Sequence, residues 1–160
     1  SITNRNCQDE YEATLDELIA VAESGVNFDV IVVNSLKCLT PKAELENSLT
    51  KDTILILGGS DKGYDYDEIF INLPKNIIKV YACGEVAKKI IKAGNRNKCE
   101  VVSFKTLKDA TFKSCNEIRQ GQNVLLSPAS ASFDEFSSYK ERGEKFLSYI
   151  KEYYEKNQKT

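Results

Sequence analysis

The chain of 160 residues is predicted to form one α/β domain of the three-layer Rossmann-like type, with a mostly parallel sheet of about five to six strands and helices on both faces. Short apolar segments of strand length alternate with longer segments in which apolar residues recur at helical spacing. Most of the predicted strands are apolar from end to end, which is typical of a parallel sheet covered on both faces. No internal repeat or long linker divides the chain, so we expect a single domain over 1–160.

The chain is predicted to start with a helix. Leu15, Leu18 and Ile19 recur at helical spacing among acidic residues in the segment 9–24, and Gly25 is well suited to end a helix. The first 25 or so residues therefore read as helical.

Five strands follow, each a short run of mainly β-branched or aliphatic residues. They are predicted over 29–34, 53–57, 76–82, 100–104 and 124–127. Helices are predicted after four of these strands, over about 41–49, 85–93, 107–120 and 133–155. Pro41 suits the first turn of its helix, and Asp134 and Glu135 are expected in the first turn of the last one.

The charge balance gives no sign of a polyanionic partner. Lys and Arg number 22 against 24 Asp and Glu, a net charge of −2, so we expect neither nucleic acid nor an anionic membrane as a partner. No apolar run approaches the ~20 residues of a membrane span. These features predict a soluble, intracellular protein.

The chain contains no histidine, which excludes catalysis by Ser-His-Asp or Cys-His arrangements. Its five cysteines are widely spaced and include no CxxC pair, which favours reduced thiols in a cytosolic protein over disulfides or a metal site. The chain begins at Ser1 and has no methionine, so we also expect a piece of a longer protein.

One glycine-rich loop directly follows a predicted buried strand. In Gly-Gly-Ser-Asp-Lys-Gly-Tyr-Asp (58–65), Gly58 and Gly59 allow a sharp turn and a close approach to a ligand, while Lys62 offers a positive charge. The loop matches neither the Walker A motif nor the GxGxxG fingerprint. A tight turn with a solvated lysine is the alternative interpretation.

Two further loops follow strands in the same way. Asn-Ser-Leu-Lys-Cys-Leu-Thr-Pro (34–41) contains Lys37 and Thr40, although a threonine before a proline is also an ordinary helix start. Ser-Pro-Ala-Ser-Ala-Ser (127–132) contains Ser130 and Ser132, either of which could cap the last helix instead. Because the carboxyl ends of parallel strands share one edge of the sheet, the three loops together predict a site for a small carboxylate or phosphate.

Four segments resemble a known family. They are Val-Leu-Leu-Ser-Pro-Ala-Ser-Ala-Ser-Phe-Asp-Glu-Phe (124–136), Tyr-Lys-Glu-Arg-Gly-Glu-Lys-Phe (139–146), Leu-Gly-Gly-Ser-Asp-Lys-Gly-Tyr-Asp (57–65) and Ala-Cys-Gly-Glu-Val-Ala-Lys-Lys-Ile (82–90). These look like the C-terminal domain of UDP-N-acetylmuramoyl-L-alanine:D-glutamate ligases, the MurD type of Mur ligase. The resemblance runs over about 30–150, and residues 1–28 match poorly.

The resemblance implies an ATP-dependent ligase of peptidoglycan precursor synthesis in the bacterial cytoplasm, a process that serves cell shape and cell division. ATP would phosphorylate the carboxylate of UDP-MurNAc-L-alanine, and the amine of D-glutamate would then attack the acyl phosphate. In this family ATP and Mg2+ are bound mainly by the central domain and the uridine nucleotide by the N-terminal domain. This chain encodes neither, so the fragment alone is expected to be inactive.

The resemblance also assigns residues. Lys62 would bind a carboxylate of D-glutamate, Ser132 and the backbone of Phe133 would hold the same ligand, and Tyr139 would flank it. Lys37 would face the phosphates and the substrate as the candidate catalytic residue.

The segment 34–40 departs from the family pattern Asn-Asp-Ser-Lys-Ala-Thr-Asn. Ser35 replaces the acidic residue and Leu39 the threonine that contacts glutamate. Thr40 would serve in its place only if the loop is shifted by one residue.

Two alternatives remain open. The chain could be a non-catalytic binding or interaction module derived from a Mur ligase, and an upstream central domain with a phosphate-binding loop would argue against that. A receiver-type signalling domain is disfavoured, because no acidic pair follows the strand at 29–34.

Overall fold

A computed structural model describes residues 2–5, 29–33, 51–127 and 134–157, the first two ranges by their backbone alone. The helices predicted over 9–24 and 41–49 lie outside these ranges.

The described residues form a six-stranded sheet. Its strands are β1 (Ile2–Arg5), β2 (Asp29–Val33), β3 (Thr53–Gly58), β4 (Ile77–Cys83), β5 (Val101–Phe104) and β6 (Asn123–Leu126). The order across the sheet is β1-β2-β6-β3-β4-β5, and every neighbouring pair is parallel. The predicted α/β class and parallel sheet are confirmed.

Strand β1 was not predicted. It pairs with β2 in the register Ile2 opposite Val30, and its sequence Ile-Thr-Asn-Arg contains a single apolar residue. An edge strand bonds to a neighbour on one side only and need not be apolar on both faces, so it lacks the pattern that reveals a central parallel strand. The expectation that the first 25 or so residues are helical was therefore wrong for 2–5.

Four helices lie in the described ranges. They are α1 (Asp67–Ile71), α2 (Ala87–Arg96), α3 (Leu107–Glu117) and α4 (Tyr139–Asn157). Helices α2 and α3 confirm the predictions over 85–93 and 107–120 with small shifts at their ends. The five-residue α1 was not predicted, because it is too short to show a helical period. None of these helices is both long and apolar enough to cross a bilayer.

The last helix begins later than predicted. It starts at Tyr139 rather than near Phe133, so Asp134 and Glu135 precede it and do not lie in its first turn. The short turn that these two residues form is separated from α4 by Phe136, Ser137 and Ser138.

A serine next to the helix caps α4. The Ser138 hydroxyl accepts a hydrogen bond from the Glu141 N–H at 3.1 Å. The Glu141 carboxylate in turn accepts hydrogen bonds from the main-chain N–H and the hydroxyl of Ser137, at 2.6 and 2.5 Å. This reciprocal arrangement resembles a capping box, and it means that Ser130 and Ser132 are not needed as the predicted caps.

The two faces of the sheet carry separate apolar layers. Along β3, Ile54 and Ile56 face one layer and Leu55 and Leu57 face the other, as the alternation of side chains along a strand requires. Helices α3 and α4 cover the first layer and α1 and α2 the second. The first layer includes Leu107, Phe136, Phe146, Leu147 and Ile150, and the second includes Phe70, Val86, Ala87 and Ile90. The predicted three-layer arrangement is therefore confirmed, and Phe136 and Phe146 belong to its core.

Candidate functional site

The candidate site lies at the carboxyl ends of three neighbouring strands. Strands β2, β6 and β3 are adjacent in the sheet, and they are the strands that precede the three loops singled out in the sequence. Neighbouring strands are about 4.8 Å apart, so the three loops leave the sheet side by side. The topology thus supports the prediction that they share one edge.

A small cleft, open to solvent, lies at this edge. It is lined by Gly58, Gly59, Cys83, Leu107, Leu126, Asp134, Glu135, Phe136 and Arg142. These residues come from the ends of β3, β4 and β6, the start of α3, the turn before α4, and α4 itself.

The two glycines of the loop allow close contact with the turn after β4. The Gly59 N–H donates to the Cys83 carbonyl at 3.3 Å, and the Val86 N–H donates to the Gly59 carbonyl at 3.1 Å. A Cβ on Gly58 would collide with the Cys83 carbonyl. The glycines thus allow a close approach to the backbone of the neighbouring turn, and the approach to a ligand stays a prediction.

Lys62 lies on an exposed turn whose neighbouring residue is well anchored. The Asp61 carboxylate accepts from the Gly63 N–H at 2.8 Å and pairs with the Lys89 ammonium at 2.6 Å. The Asp61 N–H donates to the Glu85 carboxylate at 2.9 Å. The hydrogen bond from Lys89 is the main reason that the pKa of Asp61 is lowered.

The two acidic residues before α4 reach to different neighbours. Asp134 Oδ2 accepts from the main-chain N–H of Glu85 at 3.2 Å, just before α2. The Glu135 carboxylate accepts from the N–H of Leu107, the first residue of α3, at 3.0 and 3.2 Å. Each carboxylate therefore accepts a hydrogen bond near the start of a helix other than α4, Asp134 at α2 and Glu135 at α3. Local spacing carried no signal for these contacts, since the partners are 49 and 28 residues away.

Burial raises the pKa of Glu135, and the nearby carboxylates of Asp134 and Asp109 add to this effect, whereas the Leu107 N–H opposes it. The carboxyl group is therefore less easily ionised than a solvated glutamate. It remains an acceptor for the helix N–H in either protonation state.

Cys83 and Arg142 are buried residues with functional groups in the lining of the cleft. Arg142 is only 4% exposed, and it was not among the predicted site residues, although it belongs to the quoted Glu-Arg-Gly motif. Its position four residues before the buried Phe146 could have indicated an inward-facing side chain.

Burial raises the pKa of the Cys83 thiol to about 12, with Glu135 and Asp134 adding to the effect and Arg142 opposing it. The thiol stays protonated at neutral pH and is no nucleophile there.

Most of the predicted ligand-binding residues fall outside the described ranges. Lys37, Thr40, Ser132 and Phe133 do so, and Tyr139 is described by its backbone alone, as the first residue of α4. Their assignments stay predictions, as does that of Lys62. Among the residues that the structure describes, no cluster of acidic or cysteine side chains could hold a metal ion.

Comparison with known proteins identifies relatives but no family model that matches the chain. The chain is 38% identical over 112 residues to UDP-N-acetylmuramoylalanine–D-glutamate ligase of Shouchella clausii, which covers 70% of this chain and 24% of that protein. It is 40% identical over 106 residues to the ligase of the same name from Bacteroides fragilis, covering 66% and 24%. A third, from Chloroherpeton thalassium, is 40% identical over 101 residues, covering 62% and 21%.

The chain therefore spans about a quarter of the length of these curated relatives. Identity of this level over 100 residues or more confirms the resemblance drawn from the four sequence segments.

Proposed function

We propose, from its homology with MurD-type ligases, that this chain is the C-terminal, D-glutamate-binding domain of an ATP-dependent ligase of peptidoglycan precursor synthesis. The observation that carries the proposal is the 38% identity over 112 residues to a relative named as a D-glutamate ligase. The match covers about a quarter of that relative's length, as expected for one domain of a larger enzyme. The adjacency of β2, β6 and β3 supports a shared ligand site for the loops that follow them.

In the proposed reaction, ATP phosphorylates the carboxylate of UDP-MurNAc-L-alanine. The amine of D-glutamate attacks the carbonyl carbon of the acyl phosphate, an amide bond forms, and inorganic phosphate leaves. This domain would position D-glutamate so that its amine reaches the carbonyl, which makes the attack effectively intramolecular.

The side chains proposed to hold D-glutamate come from three loops and from the start of α4. Lys62 would pair with one carboxylate, and the hydroxyl of Ser132 and the N–H of Phe133 would bind the ligand from the other side, with Tyr139 as a wall. Thr40 would contact the amino acid if its loop is shifted by one residue. Lys37, the candidate catalytic residue, would face the transferred phosphoryl group.

ATP and Mg2+ are proposed to bind mainly to the central domain of the full-length ligase, and the uridine nucleotide of UDP-MurNAc-L-alanine to the N-terminal domain. Those domains would be the chief partners of this one. The proposal places the enzyme in the bacterial cytoplasm, and the described cysteines, Cys83, Cys99 and Cys115, are free thiols, as a reducing compartment would keep them.

Titration of the isotopically labelled chain with D-glutamate, followed by NMR, tests the binding assignment. We expect weak, saturable shifts in the loop 58–65 that are smaller with L-glutamate. Lys62→Ala should weaken binding, since a charge-assisted hydrogen bond is worth about 1.5–3 kcal/mol. Lys75→Ala is the matched control, because Lys75 is also exposed but lies shortly before β4, at the opposite edge of the sheet.

Unchanged affinity in Lys62→Ala would contradict the assignment of Lys62 as the carboxylate clamp. The isolated chain should not turn over ATP in the presence of both acceptor substrates. Rapid ATP hydrolysis by these 160 residues would contradict the proposal that they are one domain of a larger ligase.

A further inference from the structure

The side chain of Asp61 is held at both of its oxygens within the glycine loop. Oδ1 accepts a hydrogen bond from the Gly63 N–H at 2.8 Å, and Oδ2 lies 2.6 Å from the Lys89 ammonium. Lys89 belongs to the first turn of α2. The Asp61 carboxylate therefore connects the turn 61–63 to a helix of the second layer.

The hydrogen bond from Gly63 determines where the Lys62 side chain leaves the main chain. An aspartate that accepts from the N–H two residues further on closes an Asx turn, and the residue between them is held at its apex. In this loop that residue is Lys62. Gly63 completes the turn with a φ of +75°, a conformation that glycine adopts without steric strain. The Asp61 side chain thus sets the start of the Lys62 side chain.

The contact with Lys89 fixes the Asp61 carboxylate itself. An aspartate side chain has two torsions, and partners on both oxygens restrict them to one orientation. The hydrogen bonds from Lys89 and from the Gly63 N–H are also the first two reasons that the pKa of Asp61 is lowered. The group is therefore ionised at neutral pH and accepts both contacts there.

A lysine binds a carboxylate more tightly when its main chain already has the conformation of the complex, because less conformational entropy is lost on binding. We infer that Asp61 and Lys89 are positioning residues of the proposed D-glutamate site, which orient Lys62 toward the ligand carboxylate without touching the ligand. The inference rests on the proposed function, through the assignment of Lys62. The ion pair is exposed to solvent and contributes little to stability, so its effect should lie in the geometry of the turn.

The test is an NMR titration of the labelled 160-residue chain and its variants with D-glutamate. Asp61→Ala removes both carboxylate contacts and should weaken binding about fivefold, the factor that ordering one residue of main chain on binding represents. Lys89→Met removes only the ion pair and should weaken binding less. Asp61→Asn keeps an acceptor for the Gly63 N–H and should recover most of the affinity, since asparagine also forms Asx turns.

A second measurement needs no ligand. The backbone order parameter of Lys62 should fall in Asp61→Ala and return towards the unsubstituted value in Asp61→Asn, because the turn is released in one variant and retained in the other. Hydrogen exchange of the Gly63 amide should be faster in Asp61→Ala, since that N–H loses its acceptor.

Asp67→Ala is the matched control. Asp67 also follows β3 and pairs with a basic residue of α2, but its partner Arg96, at 2.7 Å, is the last residue of that helix. The control breaks the same kind of ion pair, and it should leave both the D-glutamate affinity and the Lys62 order parameter unchanged. Thermal melts establish that both alanine variants are folded at the temperature of the titration.

The outcomes separate the positioning role from the proposed function. If Lys62→Ala weakens D-glutamate binding and Asp61→Ala does not, the positioning role is wrong and the proposed function stands. Equal losses in Asp61→Ala and Asp67→Ala, or no recovery in Asp61→Asn, would also overturn the positioning role. If the unsubstituted chain does not bind D-glutamate at millimolar concentration, the proposed function itself is contradicted, together with the role of Asp61 and Lys89.

Discussion

Both carboxylate oxygens of Glu135 lie within hydrogen-bonding distance of the Leu107 N–H, at 3.0 and 3.2 Å. Leu107 is the first residue of α3, whose N-cap Thr106 accepts separately from the Asp109 N–H at 3.2 Å. Two of the N–H groups that a helix start leaves unbonded are thus satisfied from different parts of the chain. The turn before α4 is tied to α3 by this contact.

Glu135→Ala is expected to lower the free energy of unfolding by about 1 kcal/mol, the usual cost of losing a helix cap. Glu135→Gln keeps an acceptor and should cost less. Urea denaturation measures both. An effect of Glu135→Ala no larger than that of the exposed-site control Glu100→Ala would contradict the capping role.

The same residue predicts a dependence on pH. Because the pKa of Glu135 is raised in the folded protein, its ionisation disfavours the fold, and stability should fall as pH rises from the usual glutamate value through the raised one. Glu135→Gln removes this penalty. Relative to the unsubstituted chain, the free energy of unfolding of Glu135→Gln should be higher at pH 7 than at pH 4. Urea denaturation at the two pH values measures this difference, and a lower relative value at pH 7 would be evidence against the raised pKa.

Glu117 should have the opposite dependence. Hydrogen bonds from Lys113, Lys79 and Tyr81 lower its pKa from 4.5 to about 2. The stability it contributes is complete above the unfolded pKa and is lost as pH falls from about 4.5 towards 2. Glu117→Gln should therefore destabilise the protein by about 0.5–1 kcal/mol at pH 7 and by little at pH 2, as denaturant titrations at the two pH values would show. Equal losses of unfolding free energy at pH 7 and pH 2 would contradict the lowered pKa of Glu117.

Gly84 and Gly121 form a matched pair for testing the Asp134 contact. Both have positive φ, +78° and +83°, so alanine should cost about 1 kcal/mol of backbone strain at either. At Gly121 a Cβ would meet nothing within 4 Å, whereas at Gly84 it would collide with Asp134. Gly84→Ala should lower the thermal unfolding midpoint more than Gly121→Ala, and adding Asp134→Ala should remove part of the difference. Identical midpoints in the two glycine variants would count against the contact.

Gly94 offers a test in which packing opposes helix propensity. Replacing a glycine inside a helix with alanine normally stabilises it by about 1 kcal/mol. A Cβ on Gly94 would lie 2.5 Å from Val101 Cγ2 and 2.8 Å from the Cys99 carbonyl. Gly94→Ala is therefore expected to destabilise the protein, and a raised midpoint in a thermal melt would show that β5 can move away from α2.

The central strands could be predicted because their apolar character extends over both faces. Thr53–Gly58 is buried at every position, and this is the pattern that a parallel sheet between two helical layers requires. β1 could not be found in this way, since an edge strand lacks the pattern. The start of α4 was misplaced because Phe133, Asp134 and Glu135 together imitate a helix start, while the true signal was Ser138 followed three residues later by Glu141.

The candidate site was predictable only in outline. The three loops could be assigned to one edge because each follows a parallel strand, and the strand order then made their strands neighbours. The contacts that shape the cleft could not be read from the sequence, since Asp134 and Glu135 bond to residues 49 and 28 positions away. The assignments of Lys62 and Ser132 to an amino acid came from family resemblance and stay predictions.

The most direct test of the central claim is a crystal structure of the chain soaked with D-glutamate. The account predicts density for the amino acid at the carboxyl edge of the sheet, with one carboxylate on the Lys62 ammonium and the ligand reaching the Ser132 hydroxyl. D-glutamate bound elsewhere, or an empty edge in crystals whose chain binds D-glutamate in solution, would contradict it.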